Sequence, residues 1–185
     1  MPQRIRITGG ELRGFVVSSA SRGTVRPTTA LVREAVFNMI GARIVGARVL
    51  DLFAGTGALG LEAISRGASR VVLVESDPRA CQAIRDTLAR AGVADRGEVV
   101  QARLPGGLGR IEGTFDLVLM DPPYDGGAGD LVLAGLGPFV APGGLVVYEH
   151  RSSYNPPERP PDLRQVQRRV YGDSAVAFYT RQEGQ

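Results

Sequence analysis

The segment Asp51-Leu52-Phe53-Ala54-Gly55-Thr56-Gly57-Ala58-Leu59-Gly60 decides the fold of this chain. It places the pattern G-x-G-x-x-G between a short apolar run, residues 49–53, and a predicted helix, residues 58–66. Glycines at such a strand-to-helix turn let a nucleoside ligand come close to the backbone. Glu75 follows Gly55 by 20 residues, at the end of the next apolar run, where a carboxylate can accept hydrogen bonds from ribose hydroxyls. The segment therefore predicts a nucleoside cofactor at the end of a strand.

Asp51 indicates which nucleoside cofactor to expect. A carboxylate four residues before Gly55 would repel the pyrophosphate of a nicotinamide dinucleotide. S-adenosylmethionine (SAM) carries a sulfonium and an ammonium group and no phosphate, so an acid at this strand end favours it. A dinucleotide site and a tight turn without a ligand are the alternatives.

A second motif, Asp121-Pro122-Pro123-Tyr124, ends the apolar run 115–120. Proline contributes a carbonyl group but no amide hydrogen, so this turn presents hydrogen-bond acceptors beside an aromatic ring. Such a cluster suits an exocyclic amine on a planar base, whose N–H groups donate while the ring stacks on the tyrosine. The alternative is a proline-rich turn that only ends a buried strand, with Tyr124 packed at its rim.

Strand-like and helix-like segments alternate after Arg48, which predicts a doubly wound, mostly parallel sheet with helices on both faces. The predicted strands are residues 49–53, 70–74, 98–101, 115–120 and 145–149, the predicted helices are 58–66, 77–91 and 129–139, and 141–144 predicts a turn. Runs 163–171 and 175–181 predict a closing antiparallel hairpin, which makes seven strands. The first and fourth strands of such a sheet are neighbours, so Asp51 and Asp121 should face one pocket.

The N-terminal segment differs from the rest in charge. All 22 basic residues are arginines; residues 1–48 hold eight of them against two glutamates, a net charge of +6, and the remaining fourteen oppose 17 acids. The pattern of residues 4–17 predicts a small hairpin, and the spacing after Thr28 predicts a helix in which Arg33 lies off the apolar stripe and faces ligand or solvent. Arginine-rich surfaces suit phosphate backbones, although a merely solvated face is the alternative.

Composition excludes several classes of function. Cys81 is the single cysteine and His150 the single histidine, so neither an internal disulfide nor a metal-ligand pattern is expected. His150 is interpreted as a polar strand end. No apolar run approaches the length of a membrane span, and the first residues show no signal-peptide pattern. We expect a cytoplasmic protein without a metal.

The two motifs together predict methyl transfer to an exocyclic amine. The lone pair of such an amine is delocalised into its ring, which makes it a poor nucleophile. Hydrogen bonds from its N–H groups to Asp121 and the Pro122 carbonyl would favour a tetrahedral nitrogen and stabilise its developing charge. Asp121 can also take the proton. The base must be extruded from its helix or presented unpaired.

The chain resembles the bacterial small-subunit rRNA guanine-N2 methyltransferases of the RsmD family, from about Arg4 to Arg181. The resemblance rests on four segments: Ile7-Thr8-Gly9-Gly10 with Arg13-Gly14, Arg26-Pro27-Thr28 leading to Val32-Arg33-Glu34-Ala35-Val36-Phe37-Asn38, residues 51–63, and Asp121-Pro122-Pro123-Tyr124. It implies a Rossmann-like class I methyltransferase fold with SAM as cofactor. The implied substrate is a guanine N2 in 16S rRNA, met on an assembling 30S subunit.

The resemblance also implies roles by position. The catalytic residues would be Asp121, Pro122, Pro123 and Tyr124. The SAM site would comprise Asp51, Phe53, Ala54, Gly55, Gly57, Glu75, Ser76, Ala102 and Arg103, and the RNA contacts would be Arg13, Arg26, Thr28 and Arg33. Residues 1–47 would form an arginine-rich, RNA-facing hairpin and helix, and residues 48–185 the methyltransferase domain.

Two positions depart from the family pattern. Ala30-Leu31 replaces an Asp-Arg pair that is common there, and Asp125 follows Tyr124 where a basic residue is frequent. Both departures put details of RNA contact in doubt. A DNA adenine-N6 methyltransferase and a non-catalytic RNA-binding module stay open as other functions.

Overall fold

The computed structural model describes residues 4–18, 30–123 and 127–181. Its strands are β1 (Arg4–Arg6), β2 (Val16–Ser18), β3 (Arg48–Leu52), β4 (Arg70–Glu75), β5 (Gly97–Gln101), β6 (Phe115–Met120), β7 (Val140–Arg151), β8 (Leu163–Tyr171) and β9 (Ser174–Arg181). Its α-helices are α1 (Ala30–Ile40), α2 (Ala58–Ser65), α3 (Pro78–Arg90) and α4 (Ala128–Ala134). Short 3-10 helices cover Gly41–Ile44, Gly106–Arg110 and Gly137–Phe139. None of the helices in this part of the chain is long and apolar enough to cross a membrane.

Seven strands form one sheet in the order β5-β4-β3-β6-β7-β9-β8, and β1 and β2 pair as a separate hairpin. Strands β3 to β7 are parallel to one another, and β9 runs antiparallel between β7 and β8. The chain winds from β3 outward to β5 and then returns to place β6 on the other side of β3. The predicted fold class, the N-terminal hairpin and the closing hairpin are thereby confirmed.

The central strands send alternate side chains into two cores, as expected for a sheet that is covered on both faces. Val49 packs in the core that contains the residues of α1, α2 and α3, whereas Leu50 packs in the core that contains those of α4. Ile7 and Val17 from the N-terminal hairpin lie in the first of these cores. The hairpin therefore shares a hydrophobic core with the sheet.

The predicted turn at residues 141–144 is wrong. These residues continue strand β7, where the register against β6 shifts between Phe115 opposite Val140 and Leu117 opposite Leu145. Gly143 adopts φ +70° within this irregularity. Proline and glycine here produce a bulge in a strand instead of a chain reversal, because the partner strand holds both flanking segments.

Candidate active site

The carboxyl ends of β3 and β6 bring Asp51 and Asp121 to the same edge of the sheet. In the parallel register, Asp51 lies opposite Leu119 and Leu52 lies opposite Met120, the residue before Asp121. Asp51 is 1% exposed, and Asp121 is half-buried. The predicted adjacency of these strands is confirmed, and two acids meet where the winding of the sheet reverses, the usual ligand position in such folds.

Asp51 is a buried acid with incomplete hydrogen bonding. Its Oδ2 accepts from the Gly60 amide at 2.9 Å, whereas its buried Oδ1 has no partner among the described residues. Burial raises the pKa of Asp51 to about 7; the Gly60 amide opposes this shift, and the charges of Asp121 and Glu75 add to it. Burial also raises the pKa of Asp121. A cationic ligand would reduce the electrostatic repulsion among these acids, and a pyrophosphate would increase it.

The turn after β3 brings backbone close to these acids. Gly55 and Gly57 adopt φ +55° and +77°, the left-handed region that favours glycine. A Cβ on Gly60 would lie 2.5 Å from Leu73 Cδ2 and 3.1 Å from Asp51 Oδ2, so only glycine lets α2 begin this close to the strands. Phe53 also has a positive φ, +61°, although it is not glycine. Strained backbone of this kind is concentrated at functional sites.

Glu75 links this turn to the start of α3. Its Oε2 accepts from the Gly55 amide at 2.9 Å, and its Oε1 accepts from the amides of Ser76 at 2.7 Å and Asp77 at 2.9 Å. A carboxylate offers about four acceptor positions. Oε2, with this single hydrogen bond in the described chain, therefore retains capacity for a ribose hydroxyl.

The predicted adenine contacts lie at the next strand end. Glu75 in β4 is opposite Gln101 in β5, and the amide of Ala102 donates to the Glu75 carbonyl at 2.9 Å. Ala102 is buried, whereas Arg103 is exposed and its carbonyl accepts from Gly107. Three adjacent strand ends, those of β3, β4 and β5, thus carry all the predicted SAM residues: Asp51, Phe53, Ala54, Gly55, Gly57, Glu75, Ser76, Ala102 and Arg103.

The Asp-Pro-Pro turn borders a cavity of about 330 Å³. Pro122 is buried and Pro123 exposed, while Tyr124 lies outside the described residues. The same cavity is lined by Asp130, Tyr148, His150 and Tyr154. The hydroxyls of Tyr148 and Tyr154 both donate to the carboxylate of Asp130, the former at 3.3 Å.

Sequence reasoning did not identify this cavity. Tyr148 and His150 are two positions apart near the end of β7, so their side chains lie on one face of the strand. This pair of ring side chains is the signal that could have indicated the cavity.

The predicted RNA-contact residues that the structure describes differ in their exposure to solvent. Arg13 is exposed, and Arg26 and Thr28 lie outside the described residues. Arg33 is only 5% exposed; its Nε donates to Glu62 Oε2 at 3.2 Å and its Nη2 to the Arg6 carbonyl at 2.6 Å. The prediction that Arg33 faces ligand or solvent is wrong, because a buried carboxylate on α2 draws this arginine inward. A phosphate contact through Arg33 remains an untested prediction that its burial argues against.

Glu62 anchors the N-terminal hairpin and was not identified from the sequence. Its carboxylate is fully buried and accepts from the Thr8 amide at 2.9 Å, the Thr8 hydroxyl at 2.7 Å and the Gly9 amide at 2.9 Å. Arg66 Nε donates to it at 2.8 Å, and Arg33 completes the set. Burial alone would raise the pKa of Glu62, but the hydrogen bonds from Thr8 and Arg66 and the charge of Arg33 bring it below its usual value.

The segment Ile7-Thr8-Gly9-Gly10 therefore has a structural role. A Cβ on Gly10 would lie 1.8 Å from the Ser65 carbonyl oxygen, and Gly10 also needs its φ of +76°. The Glu11 amide donates to the same carbonyl at 2.8 Å. These contacts hold the hairpin directly on α2, the helix that follows the glycine turn.

Comparison with known proteins gives one family and several close relatives. Residues 5–180 match the model of a family described as Conserved hypothetical protein 95. A Bacillus subtilis (strain 168) protein named "Putative rRNA methyltransferase YlbH" is 32% identical over 180 residues, which cover 95% of this chain and 98% of that protein. An Escherichia coli (strain K12) protein named "Ribosomal RNA small subunit methyltransferase D" is 41% identical over 123 residues, covering 65% of this chain and 61% of that protein. A solved structure described as "Putative methyltransferase yhhF from Escherichia coli" has a TM-score of 0.87 at 31% identity, covering 98% of this chain and 100% of the other.

Proposed function

This chain belongs to the Conserved hypothetical protein 95 family, the RsmD family, and we propose that it transfers a methyl group from SAM to the N2 amine of a guanine in 16S rRNA. Relatives with names of rRNA methyltransferases support the reaction class and the kind of acceptor. The observation that carries the proposal within this chain is the pair Asp51 and Asp121, held at adjoining strand ends.

The residues at this edge of the sheet fit SAM. Asp51 offers a buried oxygen that has no partner within residues 4–18, 30–123 and 127–181, which suits a cationic group of the ligand. Glu75 retains capacity for ribose hydroxyls, and the turn at Gly55 and Gly57 exposes backbone where the ligand would lie. When bound, SAM supplies an electrophilic methyl group for transfer to the acceptor amine.

Asp121 and Pro122 would act on the acceptor. One N–H of the amine donates to the Asp121 carboxylate and the other to the Pro122 carbonyl, which orients the nitrogen lone pair and favours the tetrahedral geometry that the reaction requires. The proton that leaves the amine goes to Asp121, directly or through water. Burial raises the pKa of Asp121, which makes it a better base than an exposed aspartate. Tyr124 would stack on the guanine.

The N-terminal segment would position the RNA. Residues 1–47 are proposed as the RNA-facing part and residues 48–185 as the methyltransferase domain. Arg4, Arg6 and Arg13 are exposed on the hairpin, and the Glu62 contacts fix this hairpin on α2. An assembling 30S subunit in the cytoplasm is the proposed setting, because the target amine must be accessible before the base is packed or paired.

Transfer of labelled methyl groups tests this function. The purified protein is incubated with labelled SAM and, separately, with naked 16S rRNA, with 30S particles from cells that lack the enzyme, and with DNA; labelled RNA is then digested to nucleosides. We expect label in N2-methylguanosine, from 30S particles or naked rRNA. Label only in DNA would identify an adenine methyltransferase, and absence of label in all three would favour a binding module.

A further inference from the structure

His150 and Pro122 both line the cavity at the Asp-Pro-Pro turn, and one of the ring nitrogens of His150 has no hydrogen-bond partner among the described residues. The side chain is 2% exposed, near the end of β7. Its Nδ1 lies 2.8 Å from the Arg151 carbonyl oxygen, whereas its buried Nε2 makes no hydrogen bond within the described residues. The rings of Tyr148 and Tyr154 approach the imidazole edge-on, at centroid distances of 5.5 and 6.1 Å. A buried nitrogen in this position is unfavourable unless a ligand supplies its hydrogen bond.

The unpaired nitrogen is an acceptor. Since the Arg151 carbonyl can only accept, Nδ1 carries the proton and donates it, which leaves a lone pair on Nε2. Burial lowers the pKa of His150, and the charge of Arg168 lowers it further; the Arg151 and Tyr154 carbonyls and the charge of Asp130 oppose these effects. The ring is therefore neutral near pH 7, and its Nε2 lone pair belongs to a residue that lines the cavity.

The cavity has the size and chemistry for a purine. Its volume of about 330 Å³ is at the lower end of the range for small-molecule sites. Tyrosine rings and prolines supply flat apolar walls, and the polar groups around them include the His150 Nε2 and the carboxylate of Asp130, both acceptors. A base edge that presents donors is complementary to these two acceptors; Glu149, Arg151 and Ser153 also line the cavity. Guanine presents N1–H beside its N2 amine, whereas adenine presents a lone pair at N1.

We propose that His150 Nε2 accepts the N1–H of the target guanine while Asp121 and Pro122 hold the neighbouring N2 amine, so that His150 selects guanine over adenine. This inference rests on the proposed function for the identity of the acceptor. The atoms N1 and N2 are attached to the same ring carbon, so their acceptors must lie side by side. Pro122 and His150 both line one cavity, so a base bound there can contact both residues.

Nitrogen NMR of the imidazole tests the inference directly, because His150 is the single histidine in the chain and its signals need no assignment. The protein with S-adenosylhomocysteine is titrated with millimolar guanosine monophosphate, adenosine monophosphate and 2-aminopurine riboside monophosphate. The last compound keeps the N2 amine but has a lone pair at N1. We expect guanosine monophosphate to shift the Nε2 resonance upfield, toward that of a hydrogen-bonded nitrogen, and the other two to leave it in place. An unmoved resonance, or equal shifts with all three nucleotides, would overturn the inference.

Two variants separate recognition from folding. His150→Phe keeps the ring shape without the acceptor and should lower kcat/KM for the RNA about tenfold, while His150→Gln, whose amide oxygen can accept, should recover part of that loss. The affinity for SAM and the thermal midpoint should stay unchanged in both. Full activity of His150→Phe would refute the role. Guanine methylation without an NMR response would remove this inference and leave the proposed function intact. An NMR response without methylation would show that guanine binds at His150 but would overturn the proposed function.

Discussion

Two buried carboxylates, one before and one after the glycine turn in the sequence, differ in their hydrogen bonding and in the direction of their pKa shifts. Glu62, at the hairpin junction with Thr8, Gly9, Arg33 and Arg66, receives hydrogen bonds at both oxygens, and its pKa is lowered. Asp51, in the acid pocket with Glu75 and Asp121, receives one hydrogen bond from the described part of the chain, which leaves its Oδ1 unpaired there, and its pKa is raised.

The difference distinguishes a structural acid from a binding acid. A buried carboxylate that is paired with cationic and N–H groups of the protein holds segments of the chain together. A buried carboxylate that lacks such partners can instead stabilise a bound ligand of opposite charge. The four predictions that follow test this distinction.

The largest effect is expected at the hairpin junction. Glu62→Gln removes the charge and leaves the guanidinium of Arg33 buried without its carboxylate, so the free energy of unfolding should fall by about 3–5 kcal/mol. Urea unfolding measures the loss. The matched control is Glu98→Gln, which breaks the pair of Glu98 with Arg70, both about half exposed, and should cost less than about 1 kcal/mol. Equal effects of the two substitutions would show that the junction has no special role in stability.

In the acid pocket the corresponding substitution should affect turnover more than stability. Asp121→Asn keeps the shape of the side chain but cannot take a proton or hold the amine as a carboxylate does, so kcat should fall about 10²- to 10³-fold, a barrier increase of about 3–4 kcal/mol. Single-turnover methyl transfer measures the change, and calorimetry should show that SAM still binds. Near-normal turnover would exclude Asp121 from the chemistry.

The sequence predicted the acid pocket and failed at the hairpin junction for a physical reason. Asp51 and Asp121 each follow an apolar run, and the rule that parallel strands present their carboxyl ends at one edge brings them together. Glu62 receives its hydrogen bonds from Thr8, 54 residues away, and from Arg33, 29 residues away. No local pattern joins these three positions, so Arg33 was interpreted as an exposed residue of an amphipathic helix.

Two other features depended on packing that the sequence does not display. Residues 141–144 have the composition of a turn, yet pairing of the flanking segments with β6 and β9 makes them part of a strand. His150 was interpreted only as a polar strand end; its alternation with Tyr148 places both side chains on one face of β7, but the cavity that both line forms only when the Asp-Pro-Pro turn and α4 pack against that face.

A smaller effect is expected from the pH dependence of the acid pocket. The pKa of Asp51 rises from its usual 3.8 to about 7 on folding, so between these values the folded protein holds more protons than the unfolded chain. The free energy of unfolding of the ligand-free protein should therefore fall, by about 3 kcal/mol, as the pH rises from about 4 to about 7.

Asp51→Asn should abolish most of that fall and weaken SAM binding, while Glu98→Gln should leave the pH profile as it is. SAM at saturation should flatten the profile of the unsubstituted protein, since a cation favours the ionised acid. Urea unfolding across this range, with and without SAM, provides the measurement. Stability that rises with pH over the same interval would mean that Asp51 is satisfied in the folded state as Glu62 is.

The smallest effect is expected for RNA binding by the N-terminal hairpin, which the hairpin junction holds on α2. Arg13 is exposed on the hairpin that Glu62 fixes to α2, and it belongs to the N-terminal excess of arginine. If this surface binds phosphates, Arg13→Ala should weaken binding to 16S rRNA by less than tenfold and reduce the slope of log affinity against log salt by about one. The matched control is Arg164→Ala, which removes an equally charged, exposed side chain from the far edge strand β8 and should leave the slope unchanged. Filter binding at several salt concentrations gives both slopes, and the same decrease for both variants would mean that general positive charge, and not the hairpin, attracts the RNA.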